Sequence, residues 1–336
     1  MTSKIICTLG PASFHSKILS QLKKLNVNIF RINMSHTSIE DLENKILYLK
    51  KKRIKNICID TEGAQLRTSK LKKKIFLAKN KLIRISNLNN LSNANVINIY
   101  PEVDLNLFRV GTELDIGFEG LRLRILKKNV SRNYLLSKVL RSGYLDSNKG
   151  IHSSKNIPLK PLTNKDIAAI RMAQKHGIKY YAMSFVNKGS DVDELRKKIR
   201  LDDFIISKIE TKNSLGNLSK IMQKSNALLI DRGDLSRYIS IDRIPIIQEA
   251  ISRKANQKNK PLYVATNLLE TMIKENSPTR AESHDIYSTL KQGVQGLVLA
   301  AETAIGNDPV GCVKFLNKCL YNFDRKKIKK LQKIVK

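Results

Sequence analysis

Short apolar runs that stop abruptly at polar residues recur along the chain. Lys4 to Leu9 runs into Gly10-Pro11, Val27 to Ile32 into Asn33-Met34-Ser35-His36, and Ile57-Cys58-Ile59 into Asp60-Thr61-Glu62-Gly63. Tyr180 to Val186 leads to Asn187-Lys188, Phe204-Ile205-Ile206 to Ser207-Lys208-Ile209-Glu210, and Ala227 to Ile230 to Asp231-Arg232-Gly233-Asp234. Pro261 to Ala265 leads to Thr266-Asn267, and Gly296 to Leu299 to Ala300-Ala301-Glu302-Thr303. Runs of this length, apolar throughout, are what strands buried on both faces look like. Most are separated by helical patterns: Ser38 to Lys51, Asn164 to His176, Ser190 to Ile199, Leu215 to Lys224, Ile244 to Lys258 and Arg280 to Gln292. Strand and helix alternating in eight such units predicts an α/β chain folded as a parallel (β/α)8 TIM barrel, with its chemistry at the C-terminal strand ends.

One interval breaks the rhythm. Between Arg67 and about Asn156 the helical period gives way to β-rich segments, Lys74 to Ile85, Asn95 to Ile99, Thr112 to Ile116, Leu121 to Ile125 and Tyr134 to Leu140. Turn signals at Phe118-Glu119-Gly120 and Ser142-Gly143 punctuate them. The pattern predicts a small β-barrel domain inserted after the third strand, placed to act as a lid. The expected organisation is barrel at 1–67, lid at 68–155, barrel again at 156–324 and a basic tail at 325–336.

The fifth and sixth runs deliver a lysine and two carboxylates, Lys208, Glu210 and Asp234, to the ends of neighbouring buried strands. Phosphoryl transfer needs in-line positioning and compensation of negative charge, which a metal and cations in a dry site supply. An acidic pair suits hard Mg2+. Taken alone, the same residues also fit the polar face of an edge strand or a salt-bridge network.

Further signatures surround them: Thr8-Leu9-Gly10-Pro11-Ala12-Ser13, Arg31-Ile32-Asn33-Met34-Ser35-His36, Asp60-Thr61-Glu62-Gly63 with Arg67, Arg232-Gly233-Asp234-Leu235, Ala265-Thr266-Asn267-Leu268-Leu269-Glu270, Pro278-Thr279-Arg280-Ala281-Glu282 and Glu302-Thr303-Ala304. In this order they resemble pyruvate kinases, from residue 1 to about 320. The resemblance implies a phosphotransferase that moves a phosphoryl group from phosphoenolpyruvate to ADP, giving pyruvate and ATP. It implies that Glu210 and Asp234 hold Mg2+ or Mn2+, and that Lys208, Arg31 and Thr266 form the catalytic set. Gly233, Asp234 and Thr266 would bind the substrate carboxylate; Asn33, Ser35, Asp60 and Thr61 match a K+ site; Arg31, His36, Arg67 and Lys149 would face the nucleotide phosphates. Asp60 with Arg67 also fits a structural ion pair, and His36 a helix cap.

The departures fall on the acceptor side. Glu62 stands where the family usually has lysine, Gln65 replaces an acidic residue, Ala300-Ala301 replaces Ser-Gly, and Ile305 replaces a lysine. Asp231 replaces a small residue, and Ser236-Arg237-Tyr238 a glycine and acidic stretch. The sequence ends soon after the last expected barrel helix, without the further α/β domain that pyruvate kinases typically carry for effectors and tetramer formation. Assembly as a homo-oligomer through the barrel stays open. A transferase with an acceptor other than ADP, and an impaired relic whose basic surface binds nucleic acid, stand as alternatives.

Charge bears on the second alternative. With 62 Lys+Arg against 29 Asp+Glu the net charge is +33, which favours polyanions, yet the lysines are spread along helix faces among many Asn and Ile residues. Weak electrostatic binding of nucleic acid is the expectation. The 4 cysteines lack metal-ligand spacing, and no Walker A loop, dinucleotide fingerprint or membrane-length apolar run is present. A cytoplasmic enzyme is expected.

Overall fold

The computed structural model describes residues 3–87, 92–117, 120–129 and 131–323. The basic tail and Phe118-Glu119 of the expected turn lie outside them. Two compact units are formed, one from Met1–Gly63 with Asn164–Lys336, the other from Ala64–Thr163.

In the first unit eight strands close a barrel: β1 (Lys4–Leu9), β2 (Ile29–Asn33), β3 (Ile57–Asp60), β4 (Tyr180–Met183), β5 (Phe204–Ile209), β6 (Ala227–Asp231), β7 (Leu262–Ala265) and β8 (Gly296–Leu299). Neighbours run parallel in chain order, and β8 returns to β1 with Ile5 opposite Leu297. Ile6, Ile29, Cys58, Ile206, Leu229, Tyr263 and Val298 pack together as a core cluster. Apolar side chains on both strand faces explain why these runs read as continuous rather than alternating.

Helices follow the strands and end where capping chemistry dictates. Ser38 Oγ accepts from Asp41 N–H at 3.1 Å to open Ile39–Lys51, and Thr279 and Glu282 exchange bonds to open Arg280–Lys291. The predicted helix Leu215 to Lys224 is two helices, Lys212–Gly216 and Leu218–Lys224. They break at Asn217, whose side-chain amide donates to Asn187 O at 2.9 Å. The expected strand Tyr180 to Val186 stops at Met183, because Phe185 turns into the left-handed region at φ 52°.

The second unit closes a smaller barrel, from strands Tyr134–Arg141, Leu82–Ser86, Val96–Tyr100, Leu66–Thr68, Gly150–Ser153, Glu113–Ile116 and Leu121–Asn129. Leu66, Ile83, Ile97, Leu114, Leu123 and Leu135 are in its core. Leu66–Thr68 is paired on both sides within it, so this unit takes in residues before 68. The single run read at Lys74 to Ile85 is two strands, Ile75–Leu77 and Leu82–Ser86, separated by a turn at Asn80 with φ 69°. Among the described residues no helix is long and apolar enough to cross a membrane.

Candidate active site

The first unit gathers its charged side chains at the C-terminal ends of β2, β3, β5 and β6. Lys208, only 5% exposed, reaches from β5 to Glu210 Oε1 at 2.8 Å, Asp231 Oδ2 at 3.3 Å and Asp60 Oδ2 at 3.7 Å. Its Nζ also donates to Ser184 Oγ at 3.2 Å, and Ser184 Oγ donates in turn to Asp60 Oδ1 at 3.1 Å. Arg31, buried on β2, donates from Nε to Thr8 Oγ1 at 2.8 Å and from Nη1 to Asp60 Oδ2 at 3.1 Å. Thr8 Oγ1 is fixed by donating to Leu299 O, so β8, β1, β2 and β3 are tied in one relay.

Backbone geometry completes the arrangement. Phe185 N–H donates to Glu210 Oε2 at 2.6 Å, which accounts for the unusual turn after β4. Thr266, at φ 77°, donates from Oγ1 to Asp231 Oδ1 at 2.6 Å. Arg232 holds that strained turn by donating to Thr266 O from Nε and Nη2, at 3.0 and 2.6 Å, while its Nη1 grips both oxygens of Asp285. Gly233 is required beside it, since a Cβ there would lie 2.9 Å from Thr266 Cγ2.

Electrostatics follow from the packing. Burial opposes the charge on Lys208, yet Asp60, Glu210 and Asp231 outweigh it and hold its pKa above the usual lysine range. Burial raises Glu210 above the carboxylate range, with Asp234 and Asp231 adding to the rise and Lys208 opposing it. Glu210 Oε1 is a buried oxygen with no hydrogen-bond donor, its approach to Lys208 being an ion-pair contact outside hydrogen-bond geometry. Glu210, Asp231 and Asp234 bring one oxygen each to within 4.8 Å of one another. An under-satisfied buried oxygen in an all-carboxylate set fits a hard divalent cation such as Mg2+.

The barrel, the relay of signatures at its strand ends and the small β-barrel after β3 are matched by a family model described as the barrel domain of pyruvate kinase, over residues 1–313. The chain belongs to the pyruvate kinase family. It is 30% identical to pyruvate kinase from Thermotoga maritima over 335 residues, 97% of this chain and 72% of the relative. It is 32% identical to pyruvate kinase from Geobacillus stearothermophilus and 31% to that from Bacillus licheniformis, over 94% of this chain in each case. The chain spans 56% of the length of each of those two relatives.

Of the residues expected to act in this pyruvate kinase relative, Arg31, Asp60, Lys208, Glu210, Asp234 and Thr266 are joined through one cluster, with Gly233 beside Thr266. Three of the residues matched to K+ have oxygens that already accept from the protein: Asn33 from Ser35 N–H, Thr61 from Ser184 N–H, and Asp60 from Arg31 and Ser184. His36 closes a 3-10 turn at Met34–His36. Arg67 and Lys149 belong to the second unit, where Arg67 pairs with Gly150 across the sheet and Lys149 Nζ lies 3.9 Å from Asp146. Asp60 pairs with Arg31 at 3.1 Å.

Three participants escaped the sequence reading as site residues: Asp231, Ser184 and Asp166. Asp166 is fully buried and accepts from Glu62 N–H at 2.7 Å and Gly63 N–H at 3.1 Å, fixing the chain where it leaves β3. Its Asn-Lys-Asp setting looks like an ordinary acidic first helical turn, and only Asp231 announced itself, as a charge where the family has a small residue.

Proposed function

We propose that this protein transfers a phosphoryl group from phosphoenolpyruvate to ADP, producing pyruvate and ATP. What carries the reading is Lys208, buried and held charged among carboxylates at the strand ends that bear the cation set. Its ammonium compensates the charge on the phosphoryl group in transit, a term that grows toward the transition state. Arg31 is pre-oriented by Thr8 and Asp60 to bind the same phosphate. Thr266, fixed by Asp231 and Arg232, and the backbone at Gly233-Asp234 receive the substrate carboxylate. Glu210 and Asp234 would hold Mg2+, which when bound supplies charge compensation and alignment. The K+ role of Asn33, Ser35, Asp60 and Thr61, and the nucleotide roles of His36, Arg67 and Lys149, rest on resemblance.

One observation favours a second reading, an acceptor other than ADP. Ile305, where relatives of this family offer a cation, is 62% exposed and contributes no charge. The charge of another acceptor-side departure, Glu62, is neutralised, since Glu62 is buried against Lys165 at 2.8 Å. The test is a coupled assay of pyruvate formation from phosphoenolpyruvate and Mg2+ with a panel of nucleoside diphosphates. Pyruvate formed with ADP supports the first reading; formation only with a different acceptor replaces it.

A further inference from the structure

Asp231 sits where Lys208, Thr266 and the candidate cation ligands meet, and holding a side chain in place does not account for all of its surroundings. Its Oδ1 accepts from Thr266 Oγ1 at 2.6 Å and its Oδ2 lies 3.3 Å from Lys208 Nζ. It also offers an oxygen within 4.8 Å of one from Glu210 and one from Asp234. Three carboxylates, Asp60, Glu210 and Asp231, are in contact with two cations, Arg31 and Lys208, before Asp234 is counted. The buried Glu210 Oε1 has as its contact the Lys208 ammonium at 2.8 Å, outside ordinary hydrogen-bond geometry and shared with Asp231 and Asp60.

We propose that Asp231 is a third carboxylate ligand of the divalent cation, so that the free protein holds the ion more tightly than two carboxylates would. The inference rests on reading Glu210 and Asp234 as the cation site. Mg2+ or Mn2+ in octahedral oxygen coordination has metal–oxygen distances of about 2.1 Å, which places opposite ligands about 4.2 Å apart and adjacent ones about 3 Å. Oxygens within 4.8 Å of one another lie near the separation of opposite ligands, and adjacent ones would close by up to about 1.8 Å to reach that shell. A third formal charge strengthens binding, because ligand charge count is a main determinant of affinity in carboxylate sites.

The experiment is Mn2+ binding to the full chain without substrate, followed by the electron paramagnetic resonance signal of free Mn2+, for the wild type, Asp231→Asn and Glu210→Gln. Asparagine keeps the carbonyl oxygen that accepts from Thr266 and removes the charge. Asp231→Asn is expected to weaken Mn2+ binding about tenfold or more, and Glu210→Gln to weaken it at least as much. Binding within about twofold of wild type in Asp231→Asn, with Glu210→Gln weakened, overturns the inference and leaves the cation site standing. Unchanged binding in both variants removes the cation site as well. A second measurement needs no variant: the waters remaining on bound Mn2+ should number about three if three carboxylates each give one oxygen, and about four, which would overturn the inference, if only two do.

Discussion

Replacing Lys208 with methionine keeps the unbranched stem and removes the charge. In the wild type Nζ lies 2.8 Å from Glu210, 3.3 Å from Asp231 and 3.7 Å from Asp60, and the residue is 5% exposed, so water screens these contacts little. The variant leaves the buried carboxylates of Asp60 and Glu210 and the partly exposed one of Asp231 with Arg31, 3.1 Å from Asp60, as their remaining cation contact. Removing one partner of a buried pair typically costs about 3–5 kcal/mol. Burial already raises the pKa of Glu210, so it can take up a proton and relieve part of this, which favours the lower end of that range. For a protein of 336 residues about 3 kcal/mol corresponds to a fall in Tm of roughly 4 °C. The sign with pH follows from the same group: without Lys208 the folded-state pKa of Glu210 rises further above the value of about 8 it has beside the lysine, so the deficit grows as pH rises through 8, where the wild-type carboxyl ionises and the variant's stays protonated. Thermal unfolding by circular dichroism at pH 9 and pH 7, with and without Mg2+, measures this. The deficit should be largest at pH 9 without Mg2+, and adding Glu210→Gln to Lys208→Met should recover stability. A Lys208→Met protein that melts at or above the wild-type temperature at pH 9 without divalent cation would refute the reasoning.

Lys208→Met should also lower kcat for phosphoryl transfer by ~10²-fold or more with little change in phosphoenolpyruvate affinity, while enolisation of pyruvate suffers less; equal loss in both assays would make the lysine structural. Ile305→Lys should lower the ADP requirement only about twofold to fivefold, since position 305 is exposed and a solvated ion pair contributes under about 1 kcal/mol; steady-state kinetics against ADP decides, and no change would detach this position from the acceptor. Glu282→Gln should destabilise the barrel by about 1–3 kcal/mol at neutral pH in denaturant titrations. Burial alone would raise the Glu282 pKa, but N–H and hydroxyl donors of Thr279 and Thr271 outweigh it and lower the value, so this contribution is present above the unfolded carboxylate pKa and disappears as pH falls through the depressed one. A wild-type-to-variant difference independent of pH would contradict it.

The barrel was legible because each strand is buried on both faces and ends in residues that cannot follow it into the core: Ile209 is fully buried and Glu210 immediately turns to the cluster. The second unit was legible in outline, but Asn80, a residue type that favours the left-handed region, lies between lysines in a run that reads as one strand, and its φ of 69° divides it. Arg31 and Asp60 were each visible, one assigned to phosphate and one to K+, while their 3.1 Å contact needs β2 and β3 in register, with Asn33 opposite Asp60. Phe185 at φ 52° could not be anticipated, because nothing about phenylalanine favours that region; the buried Glu210 carboxylate, 25 residues away in sequence, accepts its N–H. Asp231 was legible as a departure, but its role depends on Thr266 and Lys208, which only the closed barrel brings to it.

The central claim is that the barrel site moves phosphorus from phosphoenolpyruvate to ADP, and following that atom tests it most directly. With protein in excess over isotopically labelled phosphoenolpyruvate, Mg2+ and ADP, a single turnover should place the label in the terminal phosphate of ATP with one pyruvate formed per label transferred, and Lys208→Met should slow that step by ~10²-fold. Label appearing as inorganic phosphate, or remaining in phosphoenolpyruvate while Mn2+ binds normally, would contradict the account.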